Sequence, residues 1–359
     1  MAQVAQARRS RSANGLGSAR LARREPAATL AVVASRRKGG ARMSLPRERH
    51  RSTTYLVTRR CDGRELGLVP GAELNAAFAV ALCDAAERHG CEVVALTVLS
   101  NHYHMVVHDR WGTLSELLRD LHATVARYCN VTRGRRHTAF WDRQQTDAVE
   151  LHDADVIVDA VAYCLANAVR AGLVETPEEW PGLRTRVEDL GLWRGPVFAR
   201  PSAFFREAGP VSEMVELCTE VPPLALAAYG AEGFRERVRV RLAATVAAKQ
   251  AEMKRQGRSF MGRAAVLRQS PSSSPKTPDQ RQVGRRATAR RTVAARSRWH
   301  VQALVARVKA FRACHAEALA AFARGIRAAL FPAGTWLAWR RYGVRRSTRS
   351  DGPQSVAAG

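Results

Sequence analysis

Glu92–Leu99 (EVVALTVL), Ser100-Asn101 and His102–His108 (HYHMVVH) decide how this chain folds. Two apolar runs of strand length flank a two-residue polar turn, so they pair as antiparallel neighbours. Working outward, Thr53–Thr58 (TTYLVT) reads as a further strand. Glu73–His89 carries Leu74, Phe78 and Leu82 at helical spacing and ends at Gly90, a helix-terminating glycine. Leu114, Leu117, Leu118, Leu121, Val125 and Tyr128 line one face of a helix from Leu114 to Tyr128. Phe140-Trp141 and Ala148–Leu151 read as strand pieces, and Asp155–Ala171 as a helix closed by Gly172. The order β-α-β-β-α-β-α predicts an α+β fold: an antiparallel sheet with helices on one face, for which the ferredoxin-like arrangement is the commonest solution.

This folded unit is expected over residues 49–185. Residues 1–48 are rich in Arg, Ala and Ser, lack apolar periodicity, and read as a disordered basic tail. Beyond it, residues 186–268 read as a helical extension, 269–298 as a basic low-complexity linker containing SPSSSPKTPDQ, and 299–345 as a basic helical C-terminal segment. A disordered tail is expected over 346–359. Phe331–Tyr342 (FPAGTWLAWRRY) reads as a small motif that docks back on the core.

The formal net charge is +26 and only five of the 58 basic residues are lysines. That imbalance favours a polyanionic partner such as nucleic acid. A GC-rich genome accounts for the preference for arginine over lysine, but not for the net charge. Seven cysteines are scattered, with no CxxC pair, which suggests neither a disulfide framework nor a thiolate zinc site and fits a reducing cytoplasm. No apolar run reaches the roughly 18 residues of a membrane span. The N-terminus lacks the apolar core of a secretory signal, though its Arg/Ser/Ala bias mimics a transit peptide; Met43 is an alternative start.

Two local features carry chemistry. In a strand, residues two apart point the same way, so His102 and His104 project together from one face and Tyr103 and Met105 from the other. Two imidazoles so placed can chelate a divalent ion; ordinary hydrogen-bonded histidines give the same pattern. His108 shares their face but lies too far along the strand to share an ion. Tyr163 and Asn167 stand four apart on a helix and share a face. The carboxamide could be a third ligand beside the phenol, or the pair could be a packing aromatic and a helix-end residue. A phenol with its usual pKa near 10 needs help to attack at neutral pH. No paired carboxylate lies near the strand, which argues against a metal hydrolase built on the same histidines.

The combination resembles the IS200-like, single-tyrosine HUH transposases, in particular the REP-associated tyrosine transposases. The resemblance rests on Val98–Val107 (VLSNHYHMVV), Phe140–Arg143 (FWDR), Tyr163–Val174 (YCLANAVRAGLV) and Glu178–Pro181 (EEWP), and covers roughly Thr53 to Arg184. It implies Tyr163 as nucleophile, His102 and His104 as ligands of Mg²⁺ or Mn²⁺, and Asn167 as third ligand by position. The implied reaction is transesterification on single-stranded, hairpin-containing DNA through a 5′-phosphotyrosine. A catalytically inactive relative that only binds hairpin DNA is the alternative. The family's Asn-Pro is here Asn167-Ala168, and alanine is expected to let the helix run on. Nothing in the sequence decides between a homodimer and a monomer, and a cytoplasmic, nucleoid-associated location is expected.

Single-stranded DNA needs a basic groove with stacking surfaces. Arg59, Arg60, Arg143 and Arg170, with the loop Arg133–Arg136, are the candidate cations, and Trp111 the candidate stacker; Trp141 reads as core. The basic C-terminal region, with Arg285-Arg286, Arg290-Arg291 and Arg340-Arg341 as its densest pairs, is expected to hold additional DNA through phosphate contacts.

Overall fold

The computed structural model of the chain describes residues 46–135, 138–144, 146–207, 209–275 and 291–347. The expected tails, Arg136 and the arginines at 285, 286 and 290 lie outside them wholly or in large part.

The first strands form as their alternation dictates. β1 (Thr53–Arg60) leads to α1 (Ala72–His89), which ends on Gly90 in the left-handed conformation. β2 (Cys91–Leu99) turns through Ser100-Asn101 into β3 (His102–Asp109), with Leu99 opposite His102. α2 (Leu114–Thr132) follows, then β4 (Asp147–Leu151). β3 pairs antiparallel with both β2 and β1, and β1 pairs antiparallel with β4. The structure is thus mixed α+β around an antiparallel sheet. Phe140-Trp141 forms no strand; Trp141 makes a single bridge to Cys61.

One face of the sheet presents Tyr55, Val57, Tyr103, Met105 and Val107 to α1 and α2, in a core completed by Phe78, Leu82, Leu117 and Leu121. The expectation of helices on one face alone is corrected. The other face carries Val94, Ala95, Val106 and Leu151, and these too are buried. A register shift between Val93 and Ala95 places an extra residue in β2, so Val94 and Ala95 both face this second layer. Left open, that apolar surface would stand in water. α3 (Ala154–Leu165) covers it, through Ile157, Val161 and Cys164.

The expected single helix from Asp155 to Ala171 is broken at Ala166 (φ −75°, ψ −5°), and α4 (Asn167–Arg170) continues beyond. Alanine at 168 does not keep the helix whole. Tertiary packing decides instead: Ala168, Val169 and Val174 turn into a separate cluster with Leu99 and Trp180.

The remaining chain wraps this core. β5 (Val197–Ala199) and β6 (Met214–Glu216) form an unexpected two-stranded antiparallel pair. α5 (Pro223–Arg255) lays Ala225, Phe234 and Val238 on α3, and α6 (Arg263–Leu267) adds Val266. Within the stretch read as a linker, β7 (Val293–Ala294) adds parallel to β4, so the sheet runs β2-β3-β1-β4-β7. α7 (Arg298–Ala323), β8 (Leu330–Phe331), α8 (Leu337–Tyr342) and β9 (Arg345–Arg346) close the described chain, with β8 parallel to β9. No helix among the described residues is long and apolar enough to cross a membrane.

Candidate active site

β3 delivers its two histidines as the strand period requires. The rings of His102 and His104 lie 4.9 Å apart, edge to face. On β1, Thr58 stands opposite His104 in register, and its hydroxyl lies 2.8 Å from His104 Nδ1. The turn residue Asn101 holds the other ring, with Oδ1 2.6 Å from His102 Nδ1. Because a carboxamide oxygen can only accept, His102 Nδ1 carries the proton in this pair. Nε2 is then the nitrogen with a lone pair to offer a ligand. Hydrogen bonds of this kind on the distal nitrogen fix the tautomer and orientation of metal-binding imidazoles.

His104 is buried, at 5% exposure. Burial first, then the neighbouring His102, Arg60 and Arg170, hold its pKa well below the ordinary imidazole value. A neutral imidazole is the form that binds metal. The thiol of Cys164 on α3 donates to the main-chain oxygen of His104 at 3.2 Å, tying the helix to the strand at this point. One residue earlier, Tyr163 sets its ring against His104, with centroids 5.2 Å apart and planes at 88°. The Arg170 guanidinium lies over the Tyr163 ring, 4.7 Å from its centroid. Tyr163 is half-buried and Arg170 exposed, so the phenol sits at a wall that solvent can reach.

Two imidazoles on one strand face, each with Nδ1 engaged, fit a divalent ion in donor type. Among the described residues no group of three or more His, Cys, Asp and Glu side chains is placed to hold a metal. Asn167 is buried at the start of α4, across the Ala166 break from Tyr163.

The candidate DNA contacts separate. Arg60 stands opposite His102 in register and contributes to the field at His104. Arg143 is exposed at the same end of the sheet, where the amide of Asp142 donates to the carbonyl of Arg60 at 3.0 Å. Arg59 pairs with Tyr103 and so belongs to the other face, where its guanidinium donates to the carbonyl of Gln144. Trp111 is 55% exposed but follows β3 at its far end, beside Gly90 and Arg51. With β3 spanning His102 to Asp109, that is roughly 24 Å from the histidines. Trp111 therefore cannot stack a base at the tyrosine, and Arg59 does not face it. His108 is likewise remote; its Nδ1 lies 3.0 Å from the Thr54 hydroxyl.

Thr58 and the side chain of Asn101 were not singled out by sequence as partners of the histidines. The signal for Thr58 is slight: it is the first polar residue after the apolar run Tyr55-Leu56-Val57. On the opposite face, Tyr103 turns away as strand alternation requires. Its hydroxyl lies 2.7 Å from His122 Nε2, and Trp141 Nε1 donates to the carbonyl of His122 at 2.9 Å. Trp141 is core, as expected.

Burial pushes His122 down to about 3, with the charge of Arg59 adding to it. The unfolded chain, with an ordinary imidazole near 6.5, then binds a proton that the folded chain does not. Stability from this group is complete above about pH 6.5 and falls on acidification until about pH 3, by up to about 1.4 kcal/mol per pH unit. His104 acts in the same direction. Urea denaturation at pH 7 and pH 5 should show lower stability at pH 5, and His122→Gln should flatten that difference.

No family model matches the chain, and no curated protein matches it in sequence. Among solved structures, the REP-associated tyrosine transposase bound to a REP hairpin is similar over 41% of this chain and 84% of that one, at 17% identity and a TM-score of 0.35.

Proposed function

We propose that this protein breaks and rejoins single-stranded DNA through Tyr163. The observation that carries the reading is the edge-to-face contact of the Tyr163 ring with His104, whose ring in turn meets that of His102. A strand transferase needs a nucleophile beside a site for a phosphate-binding cation, and this is where the sequence places both. The net charge of +26 supports an anionic polymer as substrate.

In the reaction, Tyr163 Oη forms a bond to phosphorus and the P–O3′ bond breaks. The phenol gives up its proton, and the departing 3′ oxygen takes one up. The product is a 5′-phosphotyrosine and a free 3′-hydroxyl. In rejoining, a 3′-hydroxyl attacks the same phosphorus and the phenolate leaves, so the energy of the first bond is conserved and no nucleotide triphosphate is needed. Arg170 over the Tyr163 ring and Arg60 beside His104 supply positive charge where the phosphate must lie. His102 and His104, with Asn167 as third ligand, would hold Mn²⁺ or Mg²⁺. Imidazole ligands suit manganese better than magnesium. When bound, the ion would polarise the scissile phosphate and neutralise developing charge.

The catalytic unit in this reading is residues 49–185, and the remaining chain is added to it. The order β2-β3-β1-β4, with α1 and α2 on one face, supports a ferredoxin-like arrangement for that unit. The likeness to REP-associated transposases noted from sequence motifs points to hairpin-containing DNA as substrate.

The test is a denaturing protein gel after incubation with labelled single-stranded hairpin oligonucleotides. A covalent adduct is expected with Mn²⁺ or Mg²⁺ and is expected to vanish when EDTA is added first. Binding to the same oligonucleotides without an adduct, across metals and substrates, would overturn the reading in favour of a protein that holds hairpin DNA without cutting it.

A further inference from the structure

The C-terminal 24 described residues fold into a small unit of their own. Phe331, Ala338 and Val344 pack with Ala318 and Phe322 of α7. Around this core stand Arg324, Arg327, Arg340, Arg341, Arg345 and Arg346, all exposed. The stretch 324–347 contains no Asp or Glu. Among the described residues, none of the six arginines is ion-paired with a carboxylate. The carboxylates at the base of the unit are engaged elsewhere: Glu116 accepts from Trp336 Nε1, and Glu48 pairs with Arg307 and His50.

The place of this unit is fixed by its contacts. Trp336 meets Glu116 in the first turn of α2, and Gly334 lies so close to Arg49 that a Cβ there would come within 2.9 Å of the Arg49 amide nitrogen. Both contacts are at the Asp109 end of β3, not the His102 end. The same end carries Trp111 with the Arg51 guanidinium 5.6 Å from its ring centroid. The segment Glu48–Arg51 thus links the arginine unit to the tryptophan that proved remote from Tyr163.

We infer that the arginine unit and the Arg51–Trp111 corner form a second nucleic-acid surface, which grips the phosphate backbone of a duplex arm whose other end reaches Tyr163. The inference rests on the nucleic-acid reading above but not on the tyrosine chemistry. Six uncompensated guanidiniums in so short a stretch repel one another in the free protein and are relieved by a polyanion. Phosphate backbone is the polyanion that the net charge of the whole chain, +26, also fits. The most exposed aromatic of the unit, Trp339, has the Arg346 guanidinium 3.9 Å from its ring centroid. The two surfaces are separated by the length of β3, roughly 24 Å. At about 3.4 Å per base pair, a stem of roughly seven base pairs spans that gap.

The test uses the full chain and fluorescence anisotropy with hairpins of four and twelve base pairs, each with the same single-stranded tail. The variant R324Q/R341Q/R345Q removes three charges that make no hydrogen bond among the described residues. On the long hairpin it is expected to flatten the slope of log K against log salt by about two to three, with affinity at 0.15 M salt lower by roughly tenfold to a hundredfold. On the short hairpin both quantities should stay near wild type. The charge-preserving R324K/R341K/R345K should restore the long-hairpin slope, which separates loss of charge from loss of fold. An unchanged slope in the glutamine variant, or equal losses on both hairpins, would overturn the proposal. So would unaltered DNA binding alongside lost binding to phosphatidylserine vesicles, which would assign the arginines to a membrane surface. An absent Tyr163 adduct with a flattened slope in the glutamine variant would sink the strand-transfer reading while leaving this surface standing.

Discussion

Tyr163→Phe is expected to remove the covalent protein–DNA adduct, reducing it by at least roughly a thousandfold. The substitution deletes one oxygen and keeps the ring. The contacts of that ring with His104 and the Arg170 guanidinium do not involve the hydroxyl. The fold and the affinity for hairpin DNA should therefore be preserved, with binding within about twofold of wild type and a melting temperature within a few degrees. The gel assay reads the first quantity and anisotropy the second. An adduct of normal yield in the phenylalanine variant would move the nucleophile elsewhere; the buried Tyr103, bonded to His122 on the other face, cannot take its place. Loss of binding together with the adduct would instead mean that the ring positions the DNA.

Asp109→Ala is expected to be the most damaging single change to stability. Asp109 is fully buried at the end of β3. Its Oδ1 accepts from the main-chain nitrogens of Gly112 and Thr113 at 2.8 and 2.9 Å and from Trp111 at 3.2 Å, while Oδ2 accepts from Leu114 at 2.8 Å. The N-cap residue of α2, Thr113, uses no side-chain cap, and the Asp109 carboxylate instead satisfies the amides of the turn entering α2 and of Leu114, its first residue. Hydrogen bonds to a charged acceptor contribute about 1.5–3 kcal/mol each, non-additively, and the alanine variant leaves several donors without an acceptor. A loss of roughly 3–4 kcal/mol is expected, seen as a drop of roughly 10 °C in melting temperature. Asp109→Asn, which keeps one acceptor oxygen, should lose about half as much. A melting temperature within about 2 °C of wild type for the alanine variant would show that water or a local rearrangement satisfies the turn.

The strands and the first two helices were legible because each has a clean period. The pairing of β2 with β3 followed from a two-residue turn, and the shared face of His102 and His104 from strand alternation alone. The same alternation separates Arg60 from Arg59, one facing the histidines and the other facing Tyr103. The second helical layer was foreshadowed by EVVALTVL, which after Glu92 is apolar at every position but Thr97 and so buries both faces. The helix that covers it, α3, is readable from its period; which face of the sheet it takes is set by packing, and the outer cover of α3 by α5 is hard to read because charged residues are interspersed through that long helix. β7 is two residues long and has no period to read. Trp111 was misplaced because nearness in sequence to His102 and His104 hides the length of the strand between them. Asp109 gave no signal at all, since its role depends on a turn whose amides converge only in three dimensions.

Peptide mapping of the covalent adduct by mass spectrometry tests the proposed chemistry most directly. Wild-type protein would be incubated with a hairpin oligonucleotide and Mn²⁺, digested with nuclease and protease, and searched for a peptide carrying a nucleotide. The expected result is a single modified peptide containing Tyr163, joined through its phenol oxygen to a 5′-phosphate. A nucleotide on any other residue, or none in protein that binds the hairpin, would contradict it.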